Sequence, residues 1–520
     1  MLNTAINKQF LYFISFFSGF SCLALEIVWI RIISFMNMSA PQAFSFTLAI
    51  FLLGIAIGAL IGKKLCEKLN NVSTGTIGVI YFVSALIDIL IIYLAYLSAN
   101  SDNHLFFYGT LLLCSATVRG VVFPLVHHLG ANKAKTGKEI SNVYFSNVFG
   151  SAIAPLLVSF ILLNYFTTQG IYILIAGLTL LVSALCVIFE TKKINLNGIA
   201  WYMASILVFA WVVFIKPFDL ITQIATNSPY PNTAPIRIIE NTHGIVQEYV
   251  AKEPNANTSV IFGNNAYDGR LNTNLFNDTN GIDRAYYLAS IKPDVKNILV
   301  IGMSSGAWLK VLSDIPTLEK ITVVEINPAY KEIIETAPNI SSILTDPKIN
   351  IIYDDGRKWL NKNKDTLKFD MVVANTTWHW RNYSSNLLSL EFQNIVKSVM
   401  TQDALYYFNA TRSIDAFKTT KEVFPYAYLH DTFSMSVGSL KAIVFDPVAV
   451  KDRLCNLQDS KTKKKVFDNV NSCNEAFNII NKSHLIPYES INFSEISNRT
   501  PEVITDDNMI TEYKYGKAIL

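Results

Sequence analysis

Four strand-like runs in the second half of the chain each end on a glycine, an acid or a polar cluster, and chemistry is concentrated at these ends. Residues 298–325, ILVIGMSSGAWLKVLSDIPTLEKITVVE, read as strand, glycine turn, helix and second strand, the pattern of a nucleotide-binding βαβ unit. Gly302 closes the first strand and Gly306 opens the helix, with Ser304 and Ser305 between them. Backbone at such a turn can approach a ligand closely. Glu325 ends the second strand 23 residues after Gly302, where a carboxylate can accept from ribose hydroxyls. Asp355 and Gly356 follow the next run, INIIY, and suit the reading of an adenine edge. Three such features in order point to nucleoside recognition, against the plainer alternative of a sheet with a structural role only.

The fourth run, FDMVVAN, leads into Asn375, Thr376, Thr377, Trp378 and His379. An amide has no useful pKa near neutrality, so Asn375 cannot serve as a general base. His379 is the candidate base, because imidazole titrates in the right range. Trp378 and Trp380 can wall an apolar or cationic acceptor. The competing reading is a rigid loop that packs on the sheet or on the helices. Asp268, in NAYDG at 265–269, is a further candidate to face the cleft.

These residues need a frame to hold them. From residue 297 strand-like runs and helices alternate through ALYYFN, which argues for a parallel sheet covered by helices on both faces. Ahead of it IRIIEN, GIVQEYVAK and TSVIFGN read as short antiparallel strands. The expected organisation is a helical membrane bundle at 1–216, a small antiparallel β subdomain at 217–296, a Rossmann-like nucleoside-binding domain at 297–447 and a C-terminal extension at 448–520.

The bundle follows from hydropathy. The chain is 51% hydrophobic, and seven apolar segments approach bilayer length: 10–32, 43–62, 76–97, 105–128, 141–164, 170–189 and 199–216. Lys8, Lys63, Lys64, Lys68, Lys133, Lys135, Lys138, Lys192 and Lys193 fall on one side if every segment spans, which puts the N-terminus in the cytoplasm of a cell with this inner membrane. Seven spans place the remaining domain outside; six or eight place it in the cytoplasm. Gly54, Gly58 and Gly62, and likewise Ser146, Gly150 and Ala154, put small residues on one helical face for close packing. Glu26, Arg31 and Arg119 are costly in a bilayer; the expected depths of Glu26 and Arg119 differ by roughly 13 Å, so they are not expected to pair. Cys455 and Cys473, 18 apart, are either a disulfide or two thiols. No Cys/His spacing suggests a metal, and a net charge of +3 without a basic tract argues against nucleic acid.

The ordered set SGFSCLALEIVWIRI, FLLGIAIGALIG, NAYDG, ILVIGMSSG, TVVEINP, DPKINIIYDDGRKWL, NLLSLEF and ITDDNMITEY resembles the membrane-fused branch of the spermidine synthase family, propylamine transferases on the methyltransferase fold. The resemblance implies an adenosylmethionine-type donor, either S-adenosylmethionine or its decarboxylated form, across Gly302, Ser304, Ser305, Gly306, Glu325, Asp355 and Gly356. It implies chemistry near Asn375, Trp378, His379 and Asp268. It also implies that TDDN at 505–508 is ordered. The chain departs from the family at four acids. The GGGDGG loop is GMSSG, with Ser305 where the acid would contact the donor's amine end; Asn327 replaces an aspartate; and Asn375 and the following residues replace the proton-accepting Asp and an Asp-Pro pair. Desolvating a diamine's two ammonium groups without carboxylates is expensive. The expectation is therefore transfer of a propylamine or methyl group to an acceptor other than a simple polyamine, free or membrane-borne. The alternatives are a non-catalytic binding module on a membrane scaffold and a transporter regulated by its nucleoside-binding domain.

Overall fold

The computed structural model describes residues 8–69, 72–101, 103–131, 137–190, 196–215, 218–227, 233–251, 258–375, 378–430 and 435–519. Lys133, Lys135, Lys192, Lys193, Thr376 and Thr377 lie outside the described residues. The chain divides into two compact units, one of Met1–Asn37, Gln42–Pro235 and Glu240–Ile245, the other of Met38–Pro41, Ile236–Ile239 and Val246–Leu520.

The first unit is helical: α1 (Lys8–Met36), α2 (Pro41–Lys68), α3 (Thr74–Ser98), α4 (His104–Gly120), α5 (Val122–Ala131), α6 (Gly137–Phe160), α7 (Thr168–Glu190), α8 (Leu196–Ile215) and α9 (Leu220–Asn227). Six stretches among the described residues are long and apolar enough to cross a bilayer: Lys8–Met36, Pro41–Lys68, Thr74–Ser98, His104–Gly130, Ile140–Asn164 and Thr168–Glu190. The seventh expected segment forms α8, a 20-residue helix. The small-residue faces permit close approach. A Cβ on Gly58 would lie 2.8 Å from the Gly120 Cα, and one on Gly150 would lie 2.9 Å from the Phe16 carbonyl carbon, so larger side chains would force the helices apart.

Arg119 finds its counterion on α3. Its Nη2 donates to Asp88 Oδ2 at 2.5 Å and to Thr179 Oγ1 at 3.3 Å, while Ser115 Oγ donates to Asp88 Oδ1 at 2.9 Å. The two charged side chains are 2% and 1% exposed. Asp88, embedded in an apolar run, was not singled out from sequence. Arg31 instead donates from Nε to Thr168 Oγ1 at 2.9 Å and from Nη2 to the Asn241 and Gly244 carbonyls at 2.7 and 3.0 Å.

The second unit contains β3 (Ser259–Gly263), β4 (Ala266–Arg270) and, outside Glu240–Ile245, the remainder of β1 (Arg237–Asn241) and β2 (Gly244–Val250); the four strands pair in sequence order. It continues with α10 (Asp283–Ile291), β5 (Asn297–Ile301), α11 (Ala307–Ser313), β6 (Lys320–Glu325), α12 (Ala329–Glu335), β7 (Ile349–Tyr353), α13 (Gly356–Asn363), β8 (Phe369–Ala374), α14 (Leu390–Ser398), β9 (Met400–Asn409), α15 (Ile414–Val423), β10 (Tyr426–His430), β11 (Met435–Ser439), α16 (Pro447–Cys455), α17 (Val470–Ile480) and β12 (Ile486–Pro487). The second sheet runs β12-β10-β11-β9-β8-β5-β6-β7. Pairing is parallel from β9 to β7 and antiparallel beyond β9. Successive residues of β5 point to opposite faces: Ile298 and Val300 join the core with α10, α11 and α12, and Leu299 and Ile301 join the one with α13, α14 and α15. This is the Rossmann-like architecture expected from the alternation of runs.

The C-terminal stretch is tied to the sheet. Cys455 and Cys473 form a disulfide with Cα atoms 5.5 Å apart. Arg357 pairs with Asp506 through bonds of 2.7 and 2.5 Å, and the Glu512 carboxylate accepts from the Tyr383 and Ser385 amides at 2.8 Å each. Asp506 of TDDN is thus joined to α13 through Arg357.

Removing one partner of a buried ion pair strands the other. Asp88→Asn should destabilise the protein by about 3 kcal/mol or more, whereas Asp88→Leu combined with Arg119→Leu should cost much less than the sum of the single changes. Thermal unfolding of the detergent-solubilised chain measures this, and additive losses would show that the pair does not act as a unit.

Candidate functional site

β5 and β8 are adjacent although β6 and β7 intervene in sequence, so the sheet order reverses between them. In open α/β sheets this switch point opens a crevice at the carboxyl ends of the strands. Gly302 and Asn375 occupy that position. The Asn375 amide donates to the Ile301 carbonyl at 3.0 Å, and Gly302 has φ +85° with its missing Cβ only 2.6 Å from the Asn375 carbonyl oxygen. A side chain there is excluded both by space and by backbone conformation.

The loop after β5 is held from below by Glu325. This buried carboxylate accepts from the Met303 amide through Oε2 at 2.6 Å and from the Asn327 amide through Oε1 at 2.8 Å. Burial outweighs those hydrogen bonds and pushes the carboxyl up to about 7. From above, β4 closes on the loop: Ser304 Oγ donates to the Asp268 carbonyl, and Tyr330 OH donates to the Asp268 carboxylate. Burial raises the Asp268 carboxyl to about 6, against the lowering influence of the Tyr330 hydroxyl and the Arg381 charge.

A pocket of about 390 Å³ opens beside this junction, lined by Asp268, Gly269, Arg284, Ser304, Ser305, Trp308, Asn375, Trp378 and Arg412 among others. Its size falls within the range of small-molecule sites. A larger groove of about 800 Å³ runs past Lys310, Asp314 and Asp459, but there Lys310 is held by Asp314 at 2.6 Å and Asp459 at 2.9 Å and the strand ends do not contribute.

The structure divides the residues anticipated from sequence into three groups. Asp268, Ser304, Ser305, Asn375 and Trp378 line one pocket. Gly302, Gly306 and Glu325 shape the loop behind it without lining it; Gly306, at φ +74°, lies where a Cβ would be 2.6 Å from Ile343 Cδ1. Asp355 and Gly356 sit beyond β7, where the Asp355 side chain caps α13 by accepting from the Lys358 amide at 2.7 Å. His379 is outside the pocket lining. Thr411 Oγ1 bonds its Nδ1 at 2.7 Å and accepts from its amide at 3.1 Å, and burial depresses the imidazole to about 4. Trp378 Nε1 donates to the Tyr267 carbonyl at 3.2 Å, so this tryptophan both walls the pocket and fastens its loop to β4.

Sequence reasoning missed Arg284, Trp308, Tyr330 and Arg412. Arg284 follows an Asn-Gly turn signal at Asn280 and Gly281 and donates back to both carbonyls, at 3.0 and 2.9 Å. Its guanidinium lies 5.5 Å from the Trp308 ring centroid. Arg412 carried no signal: it enters the pocket because Thr411 and Arg412 both take left-handed backbone, with φ +47° and +65°.

A doubly wound sheet with a pocket at its switch point defines a Rossmann-like α/β domain. Residues 287–426 match the spermine/spermidine synthase domain family, and the chain carries a spermidine synthase-like domain. The polyamine aminopropyltransferase of Alkaliphilus oremlandii is 29% identical over 143 residues, covering 26% of this chain and 49% of that protein. That of Clostridium perfringens is 28% identical over 143 residues, covering 26% and 50%, and that of Clostridium beijerinckii is 35% identical over 86 residues, covering 16% and 30%. The chain thus spans about half the length, or less, of these relatives. Among solved structures, the spermidine synthase from Thermotoga maritima aligns with a TM-score of 0.35 at 17% identity, covering 48% of this chain and 87% of that one. A spermidine synthase in complex with the transition state analogue AdoDATO aligns with a TM-score of 0.35 at 18% identity, covering 48% and 88%.

The Glu325 carboxyl lies above its ordinary value of 4.5, at about 7. A raised carboxyl favours the folded state below pH 4.5, and this contribution is lost as pH rises through 7. Between pH 4.5 and 8 the stability of the wild type relative to Glu325→Gln should therefore fall, by roughly 3 kcal/mol. Unfolding midpoints across that range test the assignment, and a pH-independent difference would refute it.

Proposed function

We propose that the protein is an integral-membrane transferase that uses an adenosylmethionine-type donor and an acceptor other than a simple polyamine. The observation that carries this reading is the pocket at the β5/β8 switch point, to which Ser304, Ser305, Trp308, Asn375, Trp378 and Arg412 of the segment that matches the spermine/spermidine synthase domain contribute, joined by Asp268 and Arg284 from before it. Its volume and its Ser304, Ser305, Asn375 and Trp378 lining fit the tail and sulfur region of such a nucleoside. Glu325 fits less directly, because both its oxygens serve the Met303 and Asn327 amides; ribose capture requires it to exchange one of them. When bound, the donor supplies an electrophilic carbon beside a sulfonium leaving group, so the protein's contribution is positioning and exclusion of water.

The lining argues against a diamine acceptor. Arg284 and Arg412 oppose a single carboxylate, Asp268, and two ammonium groups brought into that field would be desolvated without sufficient counter-charge. Asp268 remains available to take a proton from the attacking group, since a carboxyl at about 6 is mostly ionised at neutral pH and still basic enough to accept one. Asp268→Asn should preserve donor binding and abolish turnover. Calorimetry with S-adenosylmethionine, its decarboxylated form and methylthioadenosine on the detergent-solubilised chain tests the reading; absence of heat with all three would overturn it.

Six candidate spans, taken together with the cytoplasmic N-terminus expected from the lysine distribution, support a cytosolic domain. The Cys455–Cys473 disulfide favours a second reading, in which α8 also crosses and the domain is a binding module in an oxidising compartment. A phosphatase reporter fused after residue 520 separates the two: activity places the domain outside and supports the module, and silence with a cytosolic reporter active supports the transferase.

A further inference from the structure

We infer that the face formed by Trp380, Tyr383, Met509, Tyr513 and Lys517 lies in the headgroup layer of a phospholipid bilayer; this rests on the reading of Lys8–Met36 as a membrane span. The loop after β8 carries the argument. Arg381 Nε donates to the Met38 carbonyl at 2.9 Å and its Nη2 to Ser39 Oγ at 3.4 Å, while the Asn382 amide donates to the Ser39 carbonyl at 2.9 Å. Lys517 Nζ lies 3.3 Å from the Met38 thioether and 5.0 Å from the centroid of the Trp380 ring. Met38 and Ser39 belong to the same unit as these partners, and they follow directly on the apolar stretch Lys8–Met36. Ser39 is three peptide bonds past Met36, no more than about 11 Å along the chain. Side chains that project beside Arg381 and Asn382 are thus held close to the depth at which that span leaves the hydrocarbon.

Those side chains are of the kind an interface selects. Tyr383 is 73% exposed and Tyr513 58%, and a phenol or an indole, apolar in body and polar at its tip, favours the boundary between hydrocarbon and water. Tyr383 is fixed where it stands. Its backbone is left-handed, at φ +66°, a conformation costly for a bulky residue, and the Glu512 carboxylate holds it by accepting from the Tyr383 and Ser385 amides at 2.8 Å each. Tyr513 follows Glu512 directly, and its amide donates to the Met509 carbonyl at 3.2 Å, which sets the exposed Met509 one turn away. Lys517 adds a cation whose aliphatic stem can lie along apolar groups while its ammonium stays in the polar layer. Apolar surface gathered this way and rimmed by polar groups marks a contact face, and the neighbouring span end identifies the contact as lipid. Trp378, on the same loop, lines the pocket, and its ring stands 6.2 Å from that of Trp380. The pocket and the membrane-facing surface therefore share a wall.

Photocrosslinking of the full-length chain in phosphatidylcholine liposomes provides the test. Benzoylphenylalanine placed at Tyr383 or at Tyr513 should, on irradiation, shift the protein by the mass of one phosphatidylcholine, as should the same residue placed at Leu60, exposed on α2. At Val444, exposed beside Asp370 and Thr401 at the amino ends of β8 and β9, no lipid adduct should form. Adducts at Leu60 without any at Tyr383 or Tyr513 overturn the inference while leaving the membrane span in place. Adducts at Val444 in the same yield as at those two positions overturn it as well, because the labelling would then report no particular face. Absence of an adduct at Leu60 removes the span reading on which the inference rests. If the left-handed position 383 does not tolerate the substitution, Tyr513 alone decides.

Discussion

The candidate site depends on one carboxylate that stands behind its lining. Glu325 spends both oxygens on backbone amides, those of Met303 and Asn327, and thereby ties the loop after β5 to the end of β6. Gly302 and Ser304, both at positive φ, would otherwise leave that loop several conformations of similar energy. With the loop fixed, Ser304 Oγ meets the Asp268 carbonyl, β4 seats above it, and Tyr330 from α12 closes on the Asp268 carboxylate. Each later contact presupposes the first. The cost is a carboxyl held in a poorly solvated place, which its rise to about 7 records.

The helical unit solves the same problem with a different pair. Asp88 and Arg119 are almost entirely removed from solvent, and their pairing brings α3 and α4 together with Thr179 of α7. Small residues then allow α2 to approach α4, and α6 to approach α1. In both units a charged group is tolerated because it organises backbone or helices around itself, and apolar packing fills in the rest.

Gly302, Glu325 and Asp355 stand at strand ends, while Ser305 and Asn375 occupy positions where the resemblance implied acids. Arg284, from the start of α10, and Arg412, from the turn after β9, contribute cations to the lining. The strands that support the lining do not depend on the charge of the loop residues, so one frame can carry pockets of different charge.

The sequence by itself determined the order of strands and helices, the apolar spans, the parallel sheet and the positions of Gly302, Glu325 and Asp355 at strand ends. These are written locally, in runs of apolar residues and in the glycines and acids that stop them. It did not determine which of those residues share a space. In the structure Glu325 accepts from two backbone amides, Asp355 caps a helix, and His379 is bonded to Thr411. Asp88 was hidden in an apolar run until Arg119, 31 residues away, was set beside it. Arg284 and Arg412 join the lining from segments 128 residues apart in the chain. Such meetings depend on the switch in strand order and on two left-handed residues at a turn, long-range and conformational facts that a local pattern of residue types does not carry.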